Sequence, residues 1–121
     1  MHAPYSFSKF ALAALICSSS VQRYAASYDN LIQRARGGQT DNLFIYLNEQ
    51  AQANALTPAQ INDWLIVSGW TGNDAQTIEL YQRYRQRTPL QAEALAAVGA
   101  AYRNLQRWDF AASMYDLAIT R

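Results

Sequence analysis

Lysine, histidine and cysteine are almost absent from this chain of 121 residues. Each occurs once, as Lys9, His2 and Cys17, so none is left after residue 26. That absence excludes metal sites built on histidine or cysteine, and nucleophiles activated by histidine, from residues 27–121. We therefore expect no catalytic residue, no bound metal, no cofactor and no enzymatic activity.

Strong charge of either sign is also missing. Residues 27–121 contain eight arginines and nine carboxylates, whereas nucleic-acid binding requires a dense basic surface. A pair of carboxylates could serve a glycosidase, and Asp63 and Glu79 are acidic residues within predicted helices. Neither stands beside another unusual group, so a solvated helix face is the favoured interpretation of both.

The first 26 residues have the pattern of a cleaved secretory leader. Lys9 provides a positive start, and Phe10–Cys17 is an apolar run too short to span a bilayer. Small residues at 25–27 suit cleavage, which we expect within residues 25–28. A lipid anchor on Cys17 is disfavoured because Ile16 precedes it, and an amphipathic or buried N-terminal helix is the alternative. We expect a leader over 1–26 and one domain over 27–121.

A spacing of 34 residues recurs along that domain. Gly38 and Gly72 are separated by it, and the same step reaches Gln106 in a similar turn between two helices. This is the period of the tetratricopeptide repeat, in which pairs of helices stack into a solenoid. The predicted fold is all-α, a tetratricopeptide-like solenoid of about six antiparallel helices.

Local signals place the helices. Gly37-Gly38 ends the first one, Thr57-Pro58 begins the third, and Thr88-Pro89 ends the fourth. The predicted helices are Ser27–Arg36, Asp41–Asn54, Pro58–Trp70, one from Asp74 to just before Thr88, Leu90–Leu105, and one from Trp108 to the end. No polar capping helix follows the sixth, so we expect a domain truncated at its C-terminus. Its last helix should then expose an apolar face.

Aromatic residues are numerous for a small domain. Small residues such as Gly99 and Ala111 allow helices to approach closely, and aromatic rings then fill the spaces between repeats. Rings can also stack on sugars, so a glycan groove is the alternative use. We expect five aromatic residues in the core, whereas Trp70 and Tyr84 fit a core position and a surface position about equally well. The five are Trp64, Tyr81, Tyr102, Trp108 and Tyr115.

Basic and aromatic residues alternate over residues 81–87. Arg83 and Arg87 are four residues apart and should share one helix face. Basic residues also favour the end of a helix, so a solvated last turn competes with a docking patch for an acidic partner. The candidate partner-binding residues are Arg83, Arg87, Tyr84 and Trp70.

Several strings in this domain resemble one known family, the outer-membrane exporters of poly-β-1,6-N-acetyl-D-glucosamine, which include the hemin-storage outer-membrane proteins. The strings are YDNLI at 28–32, AR at 35–36 with Gly38, INDWL at 61–65, YQRYR at 81–85 and AAYRNLQRW at 100–108. Their order and spacing match the N-terminal part of such exporters over residues 28–121.

The resemblance implies a periplasmic repeat domain that normally precedes an outer-membrane barrel. It implies a periplasmic polysaccharide deacetylase as partner, with the polymer itself as a second one, and a role in biofilm polysaccharide export. By this interpretation the chain is a fragment that reaches the outer membrane only through a barrel it does not contain. A generic secreted repeat adaptor and a direct glycan-binding module are the alternative functions.

Overall fold

The computed structural model describes residues 28–121, and all regular structure in that part is helical. The predicted all-α class is therefore confirmed, whereas the leader predicted for residues 1–26 lies outside the described part. Helix α1 occupies residues 28–36, followed by α2 (Asp41–Gln52), α3 (Pro58–Trp70), α4 (Asp74–Tyr84), α5 (Ala92–Asn104) and α6 (Trp108–Ile119). None of the helices described is long and apolar enough to cross a membrane.

Two helix starts follow directly from their capping residues. The Thr57 hydroxyl accepts a hydrogen bond from the backbone of Gln60, whose side chain accepts one from the backbone of Thr57. Asn73 caps α4, since its side-chain oxygen accepts a hydrogen bond from the backbone N–H of Gln76. Both caps satisfy amides that the first turn of a helix leaves without partners, and the start at Thr57-Pro58 was predicted from the sequence.

The end of α4 differs from the prediction. The helix stops at Tyr84, three residues earlier than expected, because the amides of Arg87 and Thr88 both donate to the Tyr84 carbonyl, at 3.0 and 3.2 Å. Such bonds tighten the chain into a turn before Pro89, which cannot continue a helix. The basic residues after Tyr84 therefore lie on a turn.

The 34-residue spacing has a counterpart in the backbone. Gly38, Gly72 and Gln106 all adopt left-handed φ angles, of 97°, 73° and 62°. Each lies in the short connection between two helices, where a left-handed residue reverses the chain. This recurrence fits a tetratricopeptide-like repeat.

Polar contacts show how the three central helices lie. The side-chain Oδ1 of Asn62, near the start of α3, accepts a hydrogen bond of 2.7 Å from the backbone N–H of Gln91, just before α5. Ser68 late in α3 shares a 2.7 Å hydrogen bond with Thr77 early in α4, and Asn104 donates to Asp74 at 3.1 Å. Helices α3 and α5 therefore run in the same direction, with α4 antiparallel to both.

The core contains most of the aromatic rings expected there. Trp64, Tyr81 and Tyr102 are buried and Tyr115 is half-buried, but the prediction for Trp108 was wrong, since 62% of it is exposed. Trp108 is the first residue of α6, and no further helix covers that side in the described part. The buried Nε1 of Trp64 has no hydrogen-bond partner among residues 28–121.

Candidate functional site

Three exposed arginines gather where α4 ends. Arg83 is in the last turn of the helix, and Arg85 and Arg87 lie in the turn that follows. The tight turn on the Tyr84 carbonyl brings Arg87 to the same ring as Arg83, while Arg85 reaches the ring of Tyr81. We call Arg83, Arg85 and Arg87 the arginine edge.

The arginines rest on buried tyrosines. The guanidinium carbons of Arg83 and Arg87 lie 5.7 and 5.9 Å from the centre of the Tyr84 ring, and that of Arg85 lies 5.7 Å from the Tyr81 ring. A cation over a ring face is attracted by the ring quadrupole, which limits how freely these long side chains move. The edge is thus partly ordered before any partner arrives.

The charges of the edge are mostly unneutralised. Arg83 forms an ion pair with Glu79 one helical turn earlier, and this is the one salt bridge within residues 28–121. The contact with the Tyr84 side chain and then the pairing with Glu79 raise the pKa of Arg83, although partial burial opposes them. Arg85 and Arg87 have no carboxylate partner in the described part, so the edge keeps a net positive charge.

Two clefts flank the edge. Arg87 lines one of about 190 Å³ with Tyr84 and Thr88, between the end of α2, the start of α3 and the turn after α4. Arg85 lines another, of about 200 Å³, with Arg121 and Leu117. Each cleft is lined by a guanidinium group and by apolar side chains, which suits a partner side chain that ends in a carboxylate.

The four predicted partner-binding residues do not form one surface. Arg83, Tyr84 and Arg87 come together, but Tyr84 is only 5% exposed, so its ring supports the arginines from below. Trp70 is 49% exposed at the end of α3, separate from them. Whether any of the four binds a partner stays a prediction.

Arg85 and Arg121 were not predicted as site residues. Arg85 could have been found from the same alternation over residues 81–87, since it stands between the two chosen arginines. Arg121 carries no such signal, because only the packing of α6 against α5 brings it into the cleft with Arg85.

The two carboxylates considered for catalysis have structural partners. Asp63 accepts a hydrogen bond from the Tyr28 hydroxyl at 2.6 Å, and Glu79 is paired with Arg83. Within the described residues, no three acidic, histidine or cysteine side chains cluster closely enough to hold a metal ion.

Comparison with known proteins identifies relatives of the chain. The poly-β-1,6-N-acetyl-D-glucosamine export proteins of Escherichia coli strain K12 and of Escherichia coli O157:H7 are each 38% identical to it over 114 residues. The chain is related to a segment of these export proteins. The resemblance drawn from the sequence strings is thereby confirmed.

The match to the export proteins covers 93% of this chain but 14% of the length of each relative. Their name describes export of a polysaccharide and not an enzymatic reaction. No protein-family model matches the chain, and no solved structure matches it.

Proposed function

We propose that this chain is a helical-repeat scaffold of a biofilm polysaccharide export system, acting in the periplasm and without enzymatic activity. The 38% identity to poly-β-1,6-N-acetyl-D-glucosamine export proteins over 93% of the chain carries the proposal. The helical fold supports it, because stacked helix pairs offer extended surfaces for partner proteins.

The partner surface in this proposal is the arginine edge. Arg85 and Arg87 have no carboxylate partner in the part of the chain that is described, and all three guanidinium groups rest on tyrosine rings. A partner that presents carboxylates would find these cations already positioned, so that little side-chain entropy is lost on binding. The partner protein proposed from the resemblance is the periplasmic polysaccharide deacetylase.

The direct test replaces Arg83 and Arg87 together with alanine and measures binding to the deacetylase by titration calorimetry. Each exposed charge contributes about 0.2–1 kcal/mol, so we expect a loss of up to about 2 kcal/mol that shrinks as salt is added. Arg103→Ala with Arg107→Ala is the matched control, since these two are also exposed and four residues apart. Equal losses from both pairs would contradict the proposal.

Direct glycan binding is the second candidate function, and the exposed indole of Trp70 favours it. Here Trp70→Ala should remove oligosaccharide binding at a cost of about 2 kcal/mol or more, while the arginine changes have no effect. Titration with oligosaccharides of β-1,6-linked N-acetyl-D-glucosamine separates the two functions. Tight binding that depends on Trp70 alone would make the scaffold proposal wrong.

A further inference from the structure

A buried hydroxyl group without a partner lies beside the arginine edge. Thr88 is 7% exposed, and its Oγ1 forms no hydrogen bond within residues 28–121. Thr88 lines the cleft of about 190 Å³ that Arg87 also lines, which we call the Arg87 cleft. A buried hydroxyl without a partner costs free energy, and a ligand that accepts a hydrogen bond from it recovers that cost.

The Arg87 cleft has a positive charge that nothing in the described part neutralises. Among the described residues that line it, only Arg87 is charged, and no carboxylate of residues 28–121 pairs with that arginine. The guanidinium carbon lies 5.9 Å from the centre of the buried Tyr84 ring, which helps to hold it in place. A guanidinium group held over a ring keeps its N–H edge available for two parallel hydrogen bonds to a carboxylate.

Apolar side chains form much of the remaining wall. Ile61 is buried, Leu56 is half-buried, and Pro58 begins α3 beside them. The cleft is smaller than the roughly 300–1,000 Å³ of pockets that take drug-sized ligands, so it suits a single side chain. A phosphate group fits poorly, because its three oxygens need donors on several sides and the apolar wall supplies none.

We propose that the Arg87 cleft takes one glutamate side chain of the partner protein. Its carboxylate pairs with the Arg87 guanidinium group and accepts a hydrogen bond from the Thr88 hydroxyl, while its methylene groups contact the apolar wall. This inference rests on the proposed function, in which the arginine edge is the partner surface, and it assigns the anchor within that edge.

The other two arginines of the edge are less suited to be the anchor. Arg83 is already paired with Glu79, so a carboxylate of the partner has to compete for it. Arg85 rests on Tyr81 and lines a different cleft, which Thr88 also borders. A side chain enclosed in a pocket contributes more binding energy than charges on an open rim, so we expect most of it at Arg87.

The first test uses small carboxylates as probes of the cleft. Butyrate has the length of a glutamate side chain, and butyramide has the same shape without the charge. NMR titration of the full, isotope-labelled chain with butyrate should give saturable shifts at Thr88, with a dissociation constant on the order of 10 mM. Propionate, one methylene group shorter, should bind about threefold more weakly, and butyramide should give no saturable shift.

Two arginine variants determine which cleft the probe enters. Arg87→Gln should weaken butyrate binding about tenfold or more, because it removes the charge on which the site depends. Arg85→Gln is the matched control, since Arg85 is exposed on the same turn and borders the other cleft, and it should weaken binding less than about twofold. The reverse order of the two effects would overturn the proposal.

Thr88→Val removes the hydroxyl and keeps the shape of the side chain. The free energy of unfolding should stay the same or rise, because the lost hydroxyl had no partner, whereas butyrate binding should weaken roughly three- to tenfold. In the matched control Thr77→Val, the lost hydroxyl shares a 2.7 Å hydrogen bond with Ser68, so stability should fall and butyrate affinity should not change. If Thr88→Val lowers stability and leaves affinity unchanged, Thr88 is structural and the proposal is wrong.

Binding to the deacetylase separates this inference from the proposed function. Arg87→Gln alone should reproduce most of the loss that the double alanine change at Arg83 and Arg87 causes. If that double change weakens deacetylase binding but butyrate does not bind, the glutamate site is refuted and the scaffold proposal remains. If butyrate binds as described and the deacetylase is indifferent to both changes, the proposed partner is wrong and the cleft is still a carboxylate site.

Discussion

The close packing of α6 on α5 depends on Gly99, which has no side chain. A Cβ atom built at Gly99 would lie 3.1 Å from Cζ of Tyr115 and 3.2 Å from its Cε atoms. The Tyr115 ring occupies that space, and Gly99 is buried in the middle of a helix where glycine is otherwise unfavourable. The glycine serves packing, as the alternation of small and aromatic residues predicted.

We therefore expect Gly99→Ala to destabilise the protein even though alanine forms helices better. Helix propensity favours alanine by about 1 kcal/mol, but crowding of the ring costs about 1–3 kcal/mol. In a Tyr115→Ala background the crowding disappears, and the same change should stabilise by up to about 1 kcal/mol. Urea melts of the four proteins in this cycle measure the difference, and stabilisation in both backgrounds would contradict the packing argument.

Among the helical elements, the three left-handed turns that are spaced by 34 residues differ in one respect. Gly38 and Gly72 adopt positive φ without strain, whereas Gln106 adopts 62° with a side chain attached. The amides of Gln106 and Arg107 donate back to carbonyls near the end of α5, at 2.9 and 2.8 Å, so the turn keeps its geometry despite the residue. Position 106 therefore stores strain that its two counterparts lack.

Gln106→Gly should release this strain and stabilise the protein by roughly 1 kcal/mol, since a left-handed conformation costs a residue with a side chain about 1–2 kcal/mol. The reverse change at the equivalent turn, Gly72→Gln, should destabilise by a similar amount. Thermal unfolding followed by circular dichroism would show the two shifts. Shifts of the same sign would mean that the turns are not equivalent.

Much of this architecture was predictable from local signals. The cap at Thr57, the proline after it and the turn at Gln106 were each located by residue type or by spacing. The exposure of Trp108 was not, because the spacing that suits a ring between repeats does not show whether a neighbouring helix is present to cover it. Of the arginine edge, Arg83 and Arg87 were predicted and Arg85 was not. The ion pair that neutralises Arg83 was not predicted either, because a contact with Glu79 depends on where the two side chains lie.

At the scale of the whole molecule, one side-chain hydrogen bond among the described residues joins α1 to α3, beside the apolar packing of Leu31, Ile32 and Ala35. The Tyr28 hydroxyl donates to Asp63 at 2.6 Å, and the Tyr28 ring also lies against Tyr46 of α2, with their centres 5.5 Å apart. Burial, followed by the hydrogen bond to Asp63, raises the pKa of Tyr28 far above its ordinary value. The folded protein thus favours the protonated hydroxyl.

This attachment should weaken in alkaline solution. The unfolded chain releases the Tyr28 proton near pH 10 while the folded chain keeps it, so the stabilising contribution is complete below about pH 10 and falls above it. We expect the protein to be about 0.5–1.5 kcal/mol more stable than Tyr28→Phe at pH 8, and this advantage to decrease as the pH rises past about 10.

Urea melts of the two proteins between pH 8 and 11 measure this advantage directly. Tyr46→Phe is the control, because its hydroxyl forms no hydrogen bond among the described residues and its removal should not produce the same pH dependence. A constant difference between the parent protein and Tyr28→Phe across this range would refute the assignment.

The buried indole of Trp64, whose Nε1 has no hydrogen-bond partner among residues 28–121, gives the molecule an optical property. An indole that neither donates a hydrogen bond nor meets water emits at shorter wavelength than an exposed one, and Trp64 is 2% exposed whereas Trp70 and Trp108 are half-exposed or more. The emission spectrum should therefore contain two separable components. The short-wavelength component reports unfolding of the core, and the quencher-sensitive one comes from Trp70 at the end of α3 and Trp108 at the start of α6, so core and surface can be followed separately without any label.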